Sequence, residues 1–154
     1  MEESKTNNQP INQLGYASRF SHKNETAKPG HYQVLLEDNN INVELTTSLR
    51  VGMHKYSFNP DDEANVILDL QHRDMLIKHE IKIIDSVTIQ GHRYSNEWAR
   101  EQRIHFIIKF SIPFNDFIFN KEKNILGLKF GKIPEDLLAK VSLSAVDDLG
   151  AKEN

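Results

Sequence analysis

The residue types best suited to chemistry lie in the run Gly91 to Arg100, GHRYSNEWAR. A glycine opens this polar stretch, which reads as a rigid loop and carries the chain's single tryptophan, Trp98, among Arg93, Tyr94, Asn96, Glu97 and Arg100. One flat aromatic ring beside several hydrogen-bonding groups suits a polyhydroxylated ligand, because the ring covers the CH face of a sugar while the polar groups take its hydroxyls. The other reading is structural: large aromatics are usually buried, and Trp98 would then cap the end of a sheet. Residue types alone leave both open.

Other constellations carry less. The seven histidines, His22, His31, His54, His72, His79, His92 and His105, are scattered, with no pair at the i, i+4 spacing of a zincin and no HExxH, so no metal ligands are assigned within the chain. Asp61-Asp62-Glu63 and Asp147-Asp148 lack the alternating ligands and glycine of an EF-hand loop and read as solvated turns. A glycosidase needs two carboxylates held apart across a bond, but 22 acidic residues always offer some pair, so that pattern decides nothing. GxSxG and glycine-rich phosphate loops are absent, and no catalytic residue is assigned.

The elements that must position this stretch are strands. Directly after it, Ile104, Phe106, Ile108, Phe110 and Ile112 occupy every other position, the period that puts five apolar side chains on one face of a central strand. Tyr32, Val34 and Leu36 alternate, Asp38-Asn39-Asn40 turns, and Ile41, Val43 and Leu45 alternate again, which predicts a hairpin. Further strands are expected in Arg50 to Phe58, in the apolar run Ala64 to Leu70 (covered on both sides), in Leu76 to Ile84 and in Val87 to Gln90. Phe117 to Phe119, Ile125 to Phe130 and Leu138 to Val146 complete the series. Nine or ten short strands without a long amphipathic helix make the fold all-β, an antiparallel β-sandwich.

The ends read differently. Residues 1–13 are polar and predicted to be a flexible lead, 14–146 form the sandwich, and 147–154 (DDLGAKEN) look like a linker or helix start that stops too soon to bury anything. A length of 154 residues, 38% hydrophobic content and a net charge of -3 fit one globular domain with no strong field to recruit nucleic acid or an anionic membrane, so neither is expected as a partner. The absence of cysteine excludes disulfides, thiolate metal sites and a cysteine nucleophile.

Several blocks, in order, carry a resemblance. They are YASRFSHKNETAKPGHY from Tyr16 to Tyr32, Glu44-Leu45-Thr46, Arg50-Val51-Gly52 with His54 to Phe58, Ile67 to Leu70 with His72-Arg73, Gly91 with Arg93, Ser95 and Trp98-Ala99, Phe110-Ser111 with Pro113-Phe114, and Lys140-Val141 with Ser144-Ala145. Together they resemble the N-terminal domain of glycoside hydrolase family 92, the calcium-dependent exo-acting α-mannosidases. The departures are conservative: Lys55, Met53 and His31 stand where the family often has Arg, an aromatic and Tyr.

The resemblance implies a supersandwich-like fold and a partial N-terminal domain, with a further motif-bearing stretch expected upstream. It also implies an (α/α)6 catalytic domain beyond Asn154, which would supply the acid, the base and most of the calcium site. In such an enzyme inverting hydrolysis of mannose-containing glycans takes place between the two domains, and this chain would be inactive alone. Trp98 is carried over as the ring packed on the terminal mannose, and His22, Ser95, Asn96 and Glu97 as rim contacts. For His22 and Glu25 the structural reading also stands, a loop that fastens the sandwich with Arg19 and Glu25 paired. A periplasmic or extracellular location, self-association through a bared interdomain face, and an autonomous carbohydrate-binding or protein-interaction module as the alternative complete the expectations.

Overall fold

The structure, a computed structural model, describes residues 15–122 and 124–154; the expected flexible lead over 1–13 lies outside them. Eleven strands form two antiparallel sheets. The larger contains β1 (Glu25–Lys28), β2 (His31–Leu36), β3 (Ile41–Thr47), β4 (Val51–Ser57), β6 (Met75–Asp85), β7 (Thr88–Asn96), β8 (Gln102–Phe110) and β11 (Leu137–Ser144). Its order is β1-β2-β3-β4-β11-β8-β7-β6. The smaller sheet, β5-β10-β9, is built from β5 (Ala64–Asp69), β9 (Asp116–Asn120) and β10 (Ile125–Gly131). A short helix, α1 (Asp148–Glu153), ends the chain.

The period-two stripe on β8 decides how the layers meet. Phe106 and Phe110 are buried in one cluster with Leu126, Leu128 and Phe130 of β10, Ile89 of β7 and Leu137 and Ala139 of β11. Phe110 and Phe114 both meet the Phe130 ring edge-on, with centroids 5.2 and 6.2 Å away, the arrangement that the ring quadrupoles favour. β8 is therefore the interior strand that the alternation predicts, with β11 on one side and β7 on the other.

Gly91 makes this packing close. It pairs with Ile81 of β6 and Phe106 of β8, and a Cβ there would lie 2.2 Å from the Glu80 carbonyl oxygen and 2.6 Å from the Phe106 ring. The missing side chain is the space the phenyl ring occupies.

Four expectations change. Gly91–Asn96 is strand rather than loop, because its residues pair on both sides with β6 and β8, so the connecting loop shrinks to 97–101. Leu14 to Gly30 shows neither helical nor strand periodicity and reads as a loop, yet Glu25–Lys28 within it is a strand at the sheet edge, where only one neighbour is needed. β5 is covered on one face only: Ile67 is 46% exposed, in register with Gly127 and Ile118 on the outer side of the small sheet.

The terminal residues do bury something. α1 seats Ala151 at 0% exposure, and Gly150 lies against Ser144 so closely that a Cβ would fall 2.6 Å from the Ser144 hydroxyl. Asp147 caps the helix by accepting from the Gly150 amide at 2.7 Å, and the Asn154 side-chain amide donates to the Leu143 carbonyl at 2.9 Å. Six residues cannot hold a helix in water, so tertiary contact stabilises this one.

Replacing Gly91 with Ala should destabilise the protein by at least about 2 kcal/mol through forced displacement of Phe106 and β6. Urea titration followed by circular dichroism should show the midpoint fall; an unchanged midpoint would mean that the close approach is not needed.

Candidate functional site

The turn between β7 and β8 is positioned by charges on β7 rather than by apolar packing. Arg93 points toward the small-sheet side and reaches the segment 70–74 that leads into β6. Its Nε donates to the Leu70 carbonyl at 2.8 Å, and one terminal nitrogen donates to the Asp74 carbonyl at 3.2 Å. The other lies 3.7 Å from the Asp74 carboxylate. In this segment Arg73 takes a left-handed backbone, φ 71°, which bends the chain around the guanidinium.

Asp74 joins that segment to the loop. A hydrogen bond with Glu97, formed when one of the two carboxyls carries a proton, leads the causes that hold its carboxyl below the usual carboxylate range; its backbone amide, the Arg93 charge and the Ser95 hydroxyl follow. Ser95 donates to it at 3.3 Å and is itself only 1% exposed. Within the loop the Glu97 amide donates to the Ala99 carbonyl at 3.3 Å.

On this base Trp98 stands out into solvent, 97% exposed. The capping alternative is thereby overturned, since the ring covers no part of the sheet. Asn96 ends β7, half-buried and paired with Met75, and Glu97 and Arg100 are exposed beside the indole. Glu101 is engaged with Arg103 at 2.8 Å. The structure thus brings Ser95, Asn96, Glu97 and Trp98 into one place, with Ser95 turned inward as a support.

His22 lies elsewhere. It sits in a 3-10 turn, His22–Asn24, just before edge strand β1, with β2, β3, β4 and β11 between β1 and β8. Its Nδ1 meets Glu25 at 2.5 Å, and Glu25, which also accepts from the Tyr32 hydroxyl, is held below the usual carboxylate range by Tyr32 first and His22 second. The expected Arg19–Glu25 pair is not formed: Arg19 pairs with Asp38 at 2.7 Å, because the β2–β3 turn and not β1 lies beside it. Near this end a concavity lined by Tyr16, Asp38, Tyr56, Phe58 and Asn65 shares no residue with the Trp98 loop. Tyr16 donates to Asp69 there, and partial burial followed by that carboxylate pushes its hydroxyl up to about 12.

Sequence reading missed the roles of Asp74 and of Arg93 as a clamp. The only available signal was polar residues at the end of the Ala64–Leu70 run, and nothing in their spacing shows that the two turns meet.

The Arg93 charge and the Ser95 hydroxyl favour ionised Asp74 in the folded protein, so the stabilisation they supply is present above the ordinary carboxylate range and is lost as pH falls through the lower folded value. Asp74→Asn should cost about 1 kcal/mol at pH 7. Denaturant titrations of both proteins at pH 7 and in strong acid should show the gap closing in acid; a gap of constant size would assign the effect to something other than the carboxylate's charge.

With this geometry in place, the comparisons are specific. Residues 1–144 match the glycosyl hydrolase family 92 N-terminal domain. A family GH92 α-mannosidase from Bacteroides thetaiotaomicron superposes with a TM-score of 0.76 at 25% identity over 89% of this chain, and its complex with mannoimidazole with 0.78 at 25% over 90%. An inverting mannosidase of family GH92 from the same species, at 21% identity over 89% of the chain and a TM-score of 0.74, shares the fold. The chain spans 20–22% of the length of these structures. No curated protein sequence matches it.

Proposed function

The chain belongs to the glycosyl hydrolase family 92 N-terminal domain family, and from that premise we propose that it is a non-catalytic β-sandwich of an exo-acting, inverting α-mannosidase, forming one wall of the mannose-binding cleft. The family's link to glycan hydrolysis supports the reading, as does a similar structure in complex with mannoimidazole. The observation that carries it is Trp98: a fully exposed indole, on a five-residue turn whose base is held by Arg93, Asp74 and Ser95. With its base fixed in advance, the backbone that carries the ring loses little freedom when a sugar stacks there, which is how preorganisation raises affinity. Asn96 and Glu97 flank it as rim contacts.

The carboxylates beside the ring argue against chemistry within this chain. An inverting pair stands about 6.5–9.5 Å apart to admit a water, whereas Asp74 and Glu97 hydrogen-bond to each other and Glu101 is tied to Arg103. The acid and base are therefore assigned to a second, catalytic domain of the same enzyme.

Calcium belongs to that domain in the same reading. It takes six to eight oxygen ligands. Among the described residues, one group of three metal-ligating side chains converges, His92, His105 and Asp148, and two of its donors are imidazole nitrogens. That set does not fit calcium.

Exposed apolar side chains on the outer face of the small sheet, Ile67 and Ile118, are the surface offered for interdomain contact, or for self-association of the chain alone.

In the complete enzyme Trp98→Ala should lower kcat/KM on an aryl α-mannoside at least about tenfold, or 1.4 kcal/mol. Stability should change by less than about 0.5 kcal/mol, because the side chain is solvated. Unchanged kcat/KM would remove the ring from the cleft. The 154-residue chain should show no turnover with calcium present; turnover abolished by mutating one of its own carboxylates would refute the division of labour. Calorimetry with mannose oligosaccharides separates the alternative, an autonomous carbohydrate-binding module: that module gives saturable binding lost in Trp98→Ala, and a half-cleft gives almost none.

A further inference from the structure

On the face of the large sheet away from the small one, four residues stand in register across four strands: Glu80 of β6, His92 of β7, His105 of β8 and Ser144 of β11. α1 packs over this row and brings Asp148 to it. One donor atom from each of His92, His105 and Asp148 lies within 4.8 Å of the other two, and both histidines are 8% exposed.

Two of the three ligand candidates have an outer partner. Gln90 donates to Asp148 Oδ2 at 2.8 Å and Tyr94 Oη meets His105 Nε2 at 3.1 Å, while Glu80, 3.8 Å from His92 Nδ1, is beyond hydrogen-bond reach. This is the arrangement that orients metal-binding imidazoles and carboxylates. The His105 Nδ1 and Asp148 Oδ1 atoms share a hydrogen bond of 2.5 Å. His92 Nε2, by contrast, is buried without any partner among the described residues. A buried imidazole nitrogen rarely stays unsatisfied unless it serves another ligand.

We propose that His92, His105 and Asp148 form a binding site for a divalent first-row transition ion, zinc by donor preference, that clasps α1 to the sheet. Two nitrogens and one carboxylate oxygen suit zinc and leave a fourth position for water. The ion replaces the proton shared by His105 and Asp148, which is released to solvent, and their donor atoms separate to about 3.3 Å, as tetrahedral bonds of about 2.0 Å require. The site is independent of the Trp98 loop.

The test is titration of the untagged chain with zinc chloride. Calorimetry should give one site per chain, and the thermal midpoint should rise by about 5 °C or more at a hundredfold excess over Kd. Cobalt(II) should bring visible bands of tetrahedral type, and calcium should produce neither effect. His92→Asn should abolish uptake, and Gln90→Ala, which keeps all three ligands, should weaken it about tenfold. His72→Asn, an exposed histidine outside the row, should bind like wild type. Wild-type chain that takes up no zinc, or uptake lost equally in His72→Asn, would overturn the proposal whether or not the His92 variant folds.

Discussion

Everything in this molecule depends on removing one aromatic and aliphatic layer from water. The β8 side chains Phe106 and Phe110 supply it from the large sheet, and Leu126, Leu128 and Phe130 from the small one. Alone, the three-stranded sheet would leave Leu126, Leu128 and Phe130 in water, so its stability rests on that face being covered. The layer also fixes register: a slip of one residue on β8 would turn the phenylalanines to the opposite face and bring His105 and Ile107 inward.

The same alternation on β7 separates two kinds of work. Gly91, Arg93 and Ser95 share the face toward the small sheet, where the glycine gives space to Phe106 and the next two residues hold the segment 70–74. Gln90, His92 and Tyr94 share the other face and meet α1 or the residues it touches. One strand therefore anchors the tryptophan turn with one set of side chains and receives the terminal helix with the other. Neither function disturbs the hydrophobic layer, because both rely on polar groups at its margins.

What could be read from the sequence follows from this geometry. Strict alternation from Ile104 to Ile112 and the paired runs around Asp38 to Asn40 are local patterns, and both strands and hairpin were legible. Trp98 was legible as a singular residue in a polar stretch, but its exposure was not, since burial depends on what other segments cover. The ends of elements were least readable: Glu25–Lys28 has no alternation because only one neighbour constrains it, and the polar run Gly91–Asn96 looks like loop although two neighbouring strands pair with it. His92, His105 and Asp148 are separated by 13 and 43 positions, distances that spacing rules do not address; only strand register and the docking of α1 bring them together.

The solitary indole has an optical consequence. The only tryptophan of the chain already lies in water when the protein is folded, so its fluorescence is nearly blind to unfolding, which moves it from one aqueous environment to another. The same emission responds to anything that settles on the ring and excludes solvent from it. The protein thus carries a built-in chromophore that ignores the integrity of the sandwich and reports whatever covers its exposed ring.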